Sequence, residues 1–405
     1  MSPAPTLDLK DLGPDFVRDP YPVYAALRAE GPVHHVRTPK GEELWLIVGH
    51  EACRSALVDP RLTRDLRKVD PALHPLGAED AESPALTHML LRDAPDHTRL
   101  RRLVAREFSP RRIAALAPRI QRITDELLDA MLADGAERAD LVAALCFPLP
   151  MTVICELLGV PAADRDAFHA WTNEIVAPTD ENLLAGAYRN VVDYLRRLIA
   201  AKREHPEEDL LSGLVHTVDE EGDRLSGDEL IGMALLLLIA GHETTVNLIG
   251  NGLRALFAHP DQLELLRTDP EGLIDGAVEE MLRYDGPVET ALPRWTTEPV
   301  TIGDTRIPAG AVVLVALADA DRDPARFTEP DRFTIRRDAR GHIAFGHGLH
   351  YCLGAPLARL EGRIAVRTLL ERCPGLALDA DEAQLPWVPG LLIRGVRTLP
   401  VRWAR

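Results

Sequence analysis

The segment from Ser226 to about Phe257 constrains the fold more than any other part of this 405-residue chain. Ser226 is a candidate N-cap, and Glu229, three residues later, completes a capping box at the start of a helix. The residues that follow are apolar nearly all round, so we expect the helix to be buried. At 1.5 Å per residue, roughly 30 residues span roughly 45 Å, which is enough to cross a large domain.

A glycine-rich loop near the C-terminus carries the clearest chemistry. Residues Phe345–Gly354 include several glycines, which indicate sharp turns or a close approach to another group. Cys352 lies just before a helix that Pro356 opens, and the dipole there favours a thiolate. Such a thiolate suits the axial position of a haem iron. A buried apolar cysteine is the plainer alternative. A zinc site with His347 and His350 lacks an obvious fourth ligand and leaves the glycines unexplained.

The middle of the long helix is polar where the core should be apolar. Ala240–Thr245 reads AGHETT, and an unpaired carboxylate at Glu243 would cost several kcal/mol in a core. Residues of that kind often mark function. Ala240 and Thr244 share a face, so a small side chain lies beside a hydroxyl where O2 could bind above a haem. The alternative is a solvent-facing turn in which Thr244 bonds back to the Ala240 carbonyl.

Composition is that of an ordinary globular protein, with 46% hydrophobic and 27% charged residues. The net charge of −17 argues against general affinity for nucleic acid or an anionic membrane. Five cysteines are too few, and odd in number, for a disulfide framework, which favours a reducing compartment. Residues 1–13 do not resemble a signal peptide, and the longest apolar run, Met233–Ala240, is far short of the roughly 20 residues that span a bilayer. We expect a cytoplasmic protein.

Periodicity predicts a mainly α chain with a small β portion. No repeat, linker or composition break divides it, so we expect a single domain over residues 1–405. Helical patterns run from Thr98 to about Ala258 and again from Pro356 to Arg372. Residues Arg61–Arg92 read as a long loop, a feature that is often functional. Short strands are expected at Val33–Arg37, Leu44–Val48, Val300–Ile302, Thr305–Ile307 and Val312–Ala316.

Both motifs resemble those of cytochromes P450. Phe345–Gly354 matches, residue for residue, the cysteine-ligand loop Phe-Gly-x-Gly-x-His/Arg-x-Cys-x-Gly, and Ala240–Thr245 is similar to the oxygen-activation motif of that family. The resemblance extends over essentially the whole chain, from Asp19–Pro22 to Leu399–Trp403. It implies the cytochrome P450 fold, a single large α-rich domain with a minor β region. It also implies haem b, iron protoporphyrin IX, with Cys352 as the axial ligand of the iron.

The resemblance implies further residues that serve the haem and the oxygen. Thr244 is expected to stabilise the oxygen that binds opposite the cysteine, and Glu243, with water, to supply protons for O–O cleavage. The two propionates need cations or donors, although each candidate taken alone reads as a surface residue. These candidates are His97, Arg101, Arg294 and His350. Other expected haem contacts are Phe345, Gly346 and Ala240.

Glu280 and Arg283 are three residues apart on a predicted helix. An ordinary surface pair fits this spacing, whereas the resemblance implies the buried structural Glu-x-x-Arg pair of the family. Spacing alone does not choose between Glu279 and Glu280 as the partner of Arg283. Arg332 or Arg336 is a candidate for extending the pair into a network.

The helix that begins near His97 is basic, although the whole chain is acidic. In the family this helix flanks the proximal side of the haem, so the resemblance implies a docking face for an acidic ferredoxin. With a ferredoxin reductase, that partner would deliver electrons from NAD(P)H. A solvated helix face is the alternative. In the sequence, Glu107 is the one acidic residue near six arginines. These are Arg99, Arg101, Arg102, Arg106, Arg111 and Arg112.

Within bacterial class I enzymes, the chain is most similar to macrolide and polyketide hydroxylases of actinobacterial antibiotic pathways. This implies a monooxygenase that hydroxylates or epoxidises a bulky, largely apolar natural product. The candidate substrate contacts are mostly apolar and are Met89, Leu91, Leu236, Leu237, Val288, Thr290, Ala291, Leu391 and Leu392. Three acids, Glu79, Asp80 and Glu82, would either attract a cationic amino sugar or remain solvated loop residues.

Other functions stay open at this point. A P450 oxidase would form a cross-link and remove two hydrogens, whereas a monooxygenase adds one oxygen. A terpene, a steroid or a fatty acid is an alternative substrate. A non-catalytic haem protein that recruits a partner would have no need of Glu243 and Thr244. A monomer is the default expectation.

Overall fold

Helices dominate the computed structural model of the chain, which describes residues 7–38, 41–70, 83–176, 180–218 and 222–404. The expected helical region between Thr98 and Ala258 is present as a series of separate helices, and the helix before the C-terminal strands begins at Ala355, one residue before the predicted position. The α-helices within the described residues are α1 (Gly13–Arg18), α2 (Tyr21–Glu30), α3 (His50–Val58), α4 (Asp96–Ala105), α5 (Pro110–Ala115), α6 (Ala117–Leu132), α7 (Pro148–Leu157), α8 (Arg165–Val176), α9 (Glu181–Glu204), α10 (Leu210–His216), α11 (Gly227–Ala258), α12 (Pro260–Thr268), α13 (Pro270–Asp285), α14 (Leu317–Ala320) and α15 (Ala355–Arg372).

The β portion is small and is divided among three sheets. The strands are β1 (Leu7–Asp8), β2 (Val33–Arg37), β3 (Glu43–Ile47), β4 (Leu62–Thr63), β5 (Arg138–Asp140), β6 (Arg294–Thr296), β7 (Val300–Ile302), β8 (Thr305–Ile307), β9 (Val312–Val315), β10 (Ala377–Leu378) and β11 (Pro400–Arg402). The largest sheet has the order β1-β2-β3-β9-β6-β4, and the others are β10-β11-β5 and the hairpin β7-β8. All five predicted strands are confirmed within one residue at either end, and pairing with neighbours sets those ends.

The long helix α11 is the centre of the main core. The Ser226 hydroxyl accepts a hydrogen bond from the Glu229 amide, and the Glu229 side chain accepts one from the Ser226 amide, which confirms the predicted capping box. The helix packs against α7, α9, α13 and α15. Among the described residues it is the one helix whose length and composition would allow it to cross a membrane, yet 67% of its most apolar 18-residue stretch is buried inside the fold. Its apolar surface is therefore covered by the protein's own helices.

The predicted loop Arg61–Arg92 is only partly irregular. It begins with β4, which pairs with β6, and continues with a short 3₁₀ turn at Leu66–Lys68. Two further 3₁₀ turns, Pro84–Leu86 and Met89–Leu91, follow before α4. Residues 71–82 lie outside the described part of the chain, and the three acids proposed for an amino sugar fall there.

Candidate active site

The loop that carries the cysteine turns sharply at two glycines. Gly346 and Gly348 have φ of +73° and +74°, in the left-handed region that glycine adopts without strain. A Cβ atom on Gly348 would lie 2.6 Å from Cγ1 of Val58, so this position also needs a residue without a side chain. The Cys352 amide donates a hydrogen bond to the Phe345 carbonyl at 2.9 Å and closes the loop. The glycines therefore allow the loop to double back below the start of α15.

The Cys352 sulfur faces the N-terminus of α15. The amides of Gly354 and Ala355 donate to it and lower the pKa of the thiol, as do the charges of Arg101 and Arg359. Burial is the larger effect, so the pKa of Cys352 is raised above its ordinary value. The amides at the helix N-terminus thus favour the thiolate as the sequence predicts, but in the protein alone burial outweighs them. A coordinating metal deprotonates a thiol outright, so the site still suits a metal-ligand cysteine.

Thr244 lies on the same face of α11 as Ala240, one turn away. Its Oγ1 donates to the Ala240 carbonyl at 2.8 Å, which is the back-bonded geometry considered above as the alternative. In this conformation the helix holds the hydroxyl proton, and only the lone pairs of Oγ1 are free to accept. A role of Thr244 as a donor to oxygen stays a prediction and requires rotation of its side chain.

Glu243 is not the isolated carboxylate that the sequence suggested. Nδ2 of Asn247 donates to Glu243 Oε1 at 3.2 Å and to the Glu243 carbonyl at 2.9 Å. Nε2 of His242 lies 3.8 Å from the other carboxylate oxygen, and the Glu243 side chain is 20% exposed. The carboxylate therefore has polar partners on the helix and access to solvent, which reduces the cost of its charge.

The four predicted propionate residues share one property, which is a buried or half-buried side chain that carries nitrogen donors. His97 and Arg294 are buried, and their Nδ1 and Nε atoms have no hydrogen-bond partner in the described part of the chain; the same is true of Nδ1 of His350. The two histidine rings meet edge to face with centroids 4.5 Å apart. Burial and neighbouring cations lower the pKa of His97 to about 4 and that of His350 to about 2. The half-buried Arg101 shows a lowered pKa for the same reason, burial.

Two members of this group were missed in the sequence. Arg64 is 5% exposed with Nε and Nη2 unpartnered among the described residues, and His88 is 7% exposed with Nδ1 unpartnered. Burial, and then the charge of Arg294, lowers the pKa of Arg64 to about 9. Arg64 in turn depresses the pKa of His88 and His350. Neither residue stands in a recognisable motif, and the pairing of β4 with β6 is what brings Arg64 close to Arg294.

The unpartnered arginine nitrogens need an anion, because a buried charge without a partner is costly. The acidic groups of a haem would supply that anion. The arginines and the histidine donors beside them therefore fit a haem, and this agreement rests on the orphaned nitrogens described above.

The Glu280–Arg283 pair is fully buried and bidentate. Arg283 Nε and Nη2 donate to the two Glu280 carboxylate oxygens at 2.7 and 2.9 Å, which chooses Glu280 over Glu279. The network extends through Arg337, whose Nε donates to Glu280 at 3.2 Å. The sequence pointed to Arg332 or Arg336, but Arg332 contributes only its carbonyl to Arg283. Glu279 pairs instead with α15, through Arg359.

The basic face of α4 is narrower than the sequence suggested. Arg99 forms ion pairs with Asp223, at 3.1 Å, and with Glu229, acids that are distant in the chain. Arg112 pairs with Glu107. Two of the six arginines are therefore paired with acids. The other four are Arg101, Arg102, Arg106 and Arg111.

Two of the predicted substrate segments lie side by side. The amides of Glu289 and Thr290 donate to the carbonyls of Leu392 and Leu391 at 2.9 and 3.0 Å, and Val288 forms an isolated bridge beside them. The Thr290 hydroxyl also donates to the Leu391 carbonyl at 2.8 Å and is buried. Its hydroxyl therefore serves this pairing, and a substrate contact by Thr290 stays a prediction.

Three other predicted contacts belong to α11 or touch it. The amide of Met89 lies 3.5 Å from Met233 Sδ of α11. Leu236–Leu237, further along the same helix, are buried in the main core. Leu91 packs against a small cluster around Trp295. Ala291 is partly buried at the edge of a separate cluster. The structure thus places these residues on several elements, and their contact with a substrate stays a prediction.

This arrangement defines a class of protein that binds haem through a cysteine thiolate and positions an acid and a hydroxyl on a long core helix. The chain belongs to the cytochrome P450 family, whose model, "Cytochrome P450", matches residues 78–384. It is 58% identical over 401 residues to cytochrome P450 monooxygenase PikC of Streptomyces venezuelae, covering 99% of this chain and 95% of that protein. It is 45% identical to the 6-deoxyerythronolide B hydroxylase of Saccharopolyspora erythraea, with 96% of each chain covered.

A solved structure agrees with these relationships. The tirandamycin C-bound P450 monooxygenase TamI superposes with a TM-score of 0.89 at 46% identity, covering 98% of this chain and 100% of that one. The predicted family and fold are thereby confirmed. The protein is a cytochrome P450 monooxygenase with a haem-thiolate cofactor.

Proposed function

We propose that this monooxygenase hydroxylates or epoxidises a macrolide or related polyketide during antibiotic biosynthesis. The observation that carries the proposal is that backbone hydrogen bonds hold Val288–Ala291 beside Leu391–Leu392, which brings the apolar side chains of Val288, Ala291, Leu391 and Leu392 into one region. A relative of 45% identity is named for hydroxylation of 6-deoxyerythronolide B, a macrolactone. A bulky, mostly apolar substrate matches segments of that composition.

The proposed cofactor is haem b, with Cys352 as axial ligand and its propionates on His97, Arg101, Arg294 and His350. The orphaned nitrogens of His97, Arg294 and His350 support this assignment. When bound, the haem supplies O2 reduction and the oxidation of a substrate C–H or C=C bond, and the thiolate donates electron density that favours O–O cleavage. Phe345, through its carbonyl, fixes the backbone of Cys352.

The residues of α11 handle protons in this proposal. Glu243 takes a proton from solvent, to which its carboxylate is open, while the Asn247 amide holds Oε1. The Thr244 side chain would rotate away from the Ala240 carbonyl and donate a hydrogen bond on the oxygen side of the haem, while Glu243, with water, would supply the protons. The small side chain at Ala240 leaves room there. Delivery of protons along a fixed route is the part of the reaction that the protein controls.

The redox partner in the proposal is an acidic ferredoxin with its reductase. Arginines on and beside α4 and α5, among them Arg101, Arg106 and Arg111, supply a positive face, and the cysteine loop itself exposes the side chains of Leu349 and Tyr351. Opposite charge steers such partners together. We further propose that residues 1–405 act as a monomeric single domain in the cytoplasm.

An optical titration of the purified ferric protein tests the substrate class. Macrolactones and glycosylated macrolides are compared with steroids, terpenes and fatty acids. A low-to-high spin shift of the Soret band with macrolides alone supports the proposal. A shift with another class alone retains the P450 chemistry and rejects the macrolide. Product mass then separates oxygen insertion from loss of two hydrogens.

A further inference from the structure

Arg64 is a buried guanidinium with no use in the mechanism above. It follows β4 and is 5% exposed, and its Nε and Nη2 have no hydrogen-bond partner among the described residues. A buried cation without a partner costs several kcal/mol. A buried arginine of this kind is therefore expected to bind a group of opposite charge.

The sheet places Arg64 directly beside another cation. Strands β4 and β6 are antiparallel, with Leu62 opposite Thr296 and Thr63 opposite Trp295. The next step of this register sets Arg64 opposite Arg294. Directly opposite residues on antiparallel strands project to the same face, and like charges there repel. The two guanidinium groups therefore face one region, together with the rings of the histidines that flank them.

The described residues offer little negative charge to this region. Asp93 is the carboxylate that attracts Arg64, and it is already engaged by the Thr63 hydroxyl, by Lys68 Nζ at 2.9 Å and by the Arg64 backbone amide at 3.3 Å. No hydrogen bond joins Asp93 to the Arg64 guanidinium in the described residues. Asp59, which also attracts Arg294, is engaged by the Arg61 guanidinium. Among the described residues, these two carboxylates leave the Nε and Nη2 donors of Arg64 without an acceptor.

We propose that Arg64 is an additional haem-propionate ligand, which donates through Nε and Nη2 to a carboxylate that Arg294 and the histidines also hold. The inference rests on the proposed haem b. It goes beyond the family pattern because Arg64 stands in no P450 motif found in this sequence. A guanidinium that binds a carboxylate with two nitrogens gives strong, directional charge-assisted hydrogen bonds.

The test compares three variants of the holoenzyme. Arg64→Gln removes the charge and keeps polar atoms, and Arg64→Lys keeps the charge with different geometry. Arg67→Gln is the matched control, because Arg67 lies on the next turn, half exposed, and pairs with Asp65 and Asp96. Each variant is checked for wild-type circular dichroism and for the thiolate-type Soret band of its carbon monoxide complex.

Transfer of haem to excess apomyoglobin is the first measurement. We expect Arg64→Gln to release haem about tenfold faster than the wild type, the effect of one charge-assisted hydrogen bond. Arg64→Lys should recover most of the loss, and Arg67→Gln should match the wild type. Resonance Raman should show a shifted propionate bending band in Arg64→Gln alone, which a merely structural role would not produce. The haem reduction potential should fall, because a cation near the reduced haem is lost.

The outcomes separate this inference from the proposed cofactor. Wild-type release and an unchanged propionate band in Arg64→Gln overturn the role of Arg64 and leave haem binding intact. Equal acceleration in Arg64→Gln and Arg67→Gln also overturns it. A wild-type protein that shows no haem band at all overturns the haem assignment itself, and the inference with it.

Discussion

The Asn247 amide holds Glu243 from one turn further along α11, with Nδ2 3.2 Å from Oε1 and 2.9 Å from the Glu243 carbonyl. Asn247 is itself enclosed, since a Cβ atom on Gly395 would lie 1.8 Å from its Oδ1. The acid, the amide and the segment that follows Leu391–Leu392 are therefore in continuous contact. Movement of that segment would therefore displace the Asn247 amide and, with it, the Glu243 carboxylate.

Asn247→Ala should impair proton delivery with little effect on folding. The carboxylate of Glu243 would lose its amide donor, so we expect turnover to fall about tenfold and the solvent isotope effect to rise. The control is Asn251→Ala, one turn further on, because Asn251 Nδ2 donates to the carbonyls of Asp285 and Arg394. That variant should lower the thermal midpoint instead. Equal isotope effects in the two variants would contradict the role of Asn247.

Thr244→Ala should uncouple oxygen use from product formation. The variant loses the proposed donor, so we expect the product formed per NAD(P)H to fall severalfold and hydrogen peroxide to rise. The measurement is product yield against cofactor consumption. Thr245→Ala is the control, since Thr245 is buried and bonds back to the Gly241 carbonyl at 3.2 Å. Coupling that survives Thr244→Ala unchanged would refute the assignment.

Glu280→Gln should be strongly destabilising. It leaves Arg283 buried without its bidentate partner and weakens the contact with Arg337, and breaking a buried pair in this way typically costs about 3–5 kcal/mol. Denaturant unfolding measures the change. Glu279→Gln is the comparison, because Glu279 is 28% exposed, and about 1 kcal/mol is expected. Similar losses of unfolding free energy in the two variants would mean that burial of the ion pair does not determine its contribution to stability.

Glu361 should make stability fall as pH rises. Burial raises its pKa from 4.5 to about 8, and its Oε2 has no partner among the described residues. The folded protein then binds a proton that the unfolded chain releases between those values, so this group destabilises by roughly 1.4 kcal/mol per pH unit across that window. Glu361→Gln should remove the slope and stabilise the protein at pH 8 more than at pH 5. A difference between variant and wild type that is independent of pH would contradict this.

Arg106→Glu should slow ferredoxin-driven turnover and leave peroxide-driven turnover unchanged. The reversal removes positive charge from the proposed docking face, and the slowing should weaken at high salt. Arg196→Glu is the control, because Arg196 is exposed on α9 and pairs with Asp193. Equal losses in both assays would show damage to the site itself, and would reject docking at this face.

The sequence predicted what local patterns determine. The capping box at Ser226, the strands β7 and β8 and the cysteine loop depend on residues close in the chain. Arg283 pairs with Glu280 and not with Glu279 because of the helix face that meets the rest of the fold. A spacing of three or four residues in the sequence does not decide between these two partners. The partners of Arg99 come from residues more than 100 positions away.

Arg64 illustrates the same limit within the site. Its importance follows from the register of β4 against β6, a contact between strands more than 200 residues apart. The pKa of Cys352 shows a related limit, since the helix N-terminus that lowers it is visible in the sequence and the burial that raises it is not. Long-range packing therefore decides the charge state of groups that local motifs identify.

The backbone pairing of Glu289 and Thr290 with Leu392 and Leu391 holds the two segments together without depending on their apolar side chains. Main-chain atoms make most of these bonds, so the apolar side chains of Val288, Ala291, Leu391 and Leu392 can be exchanged while the two backbones stay in register. Selectivity can then change by substitution at pairs of facing positions, without rebuilding the loop. A library that varies the two segments together should retain folded enzymes more often than one that lengthens or shortens either segment.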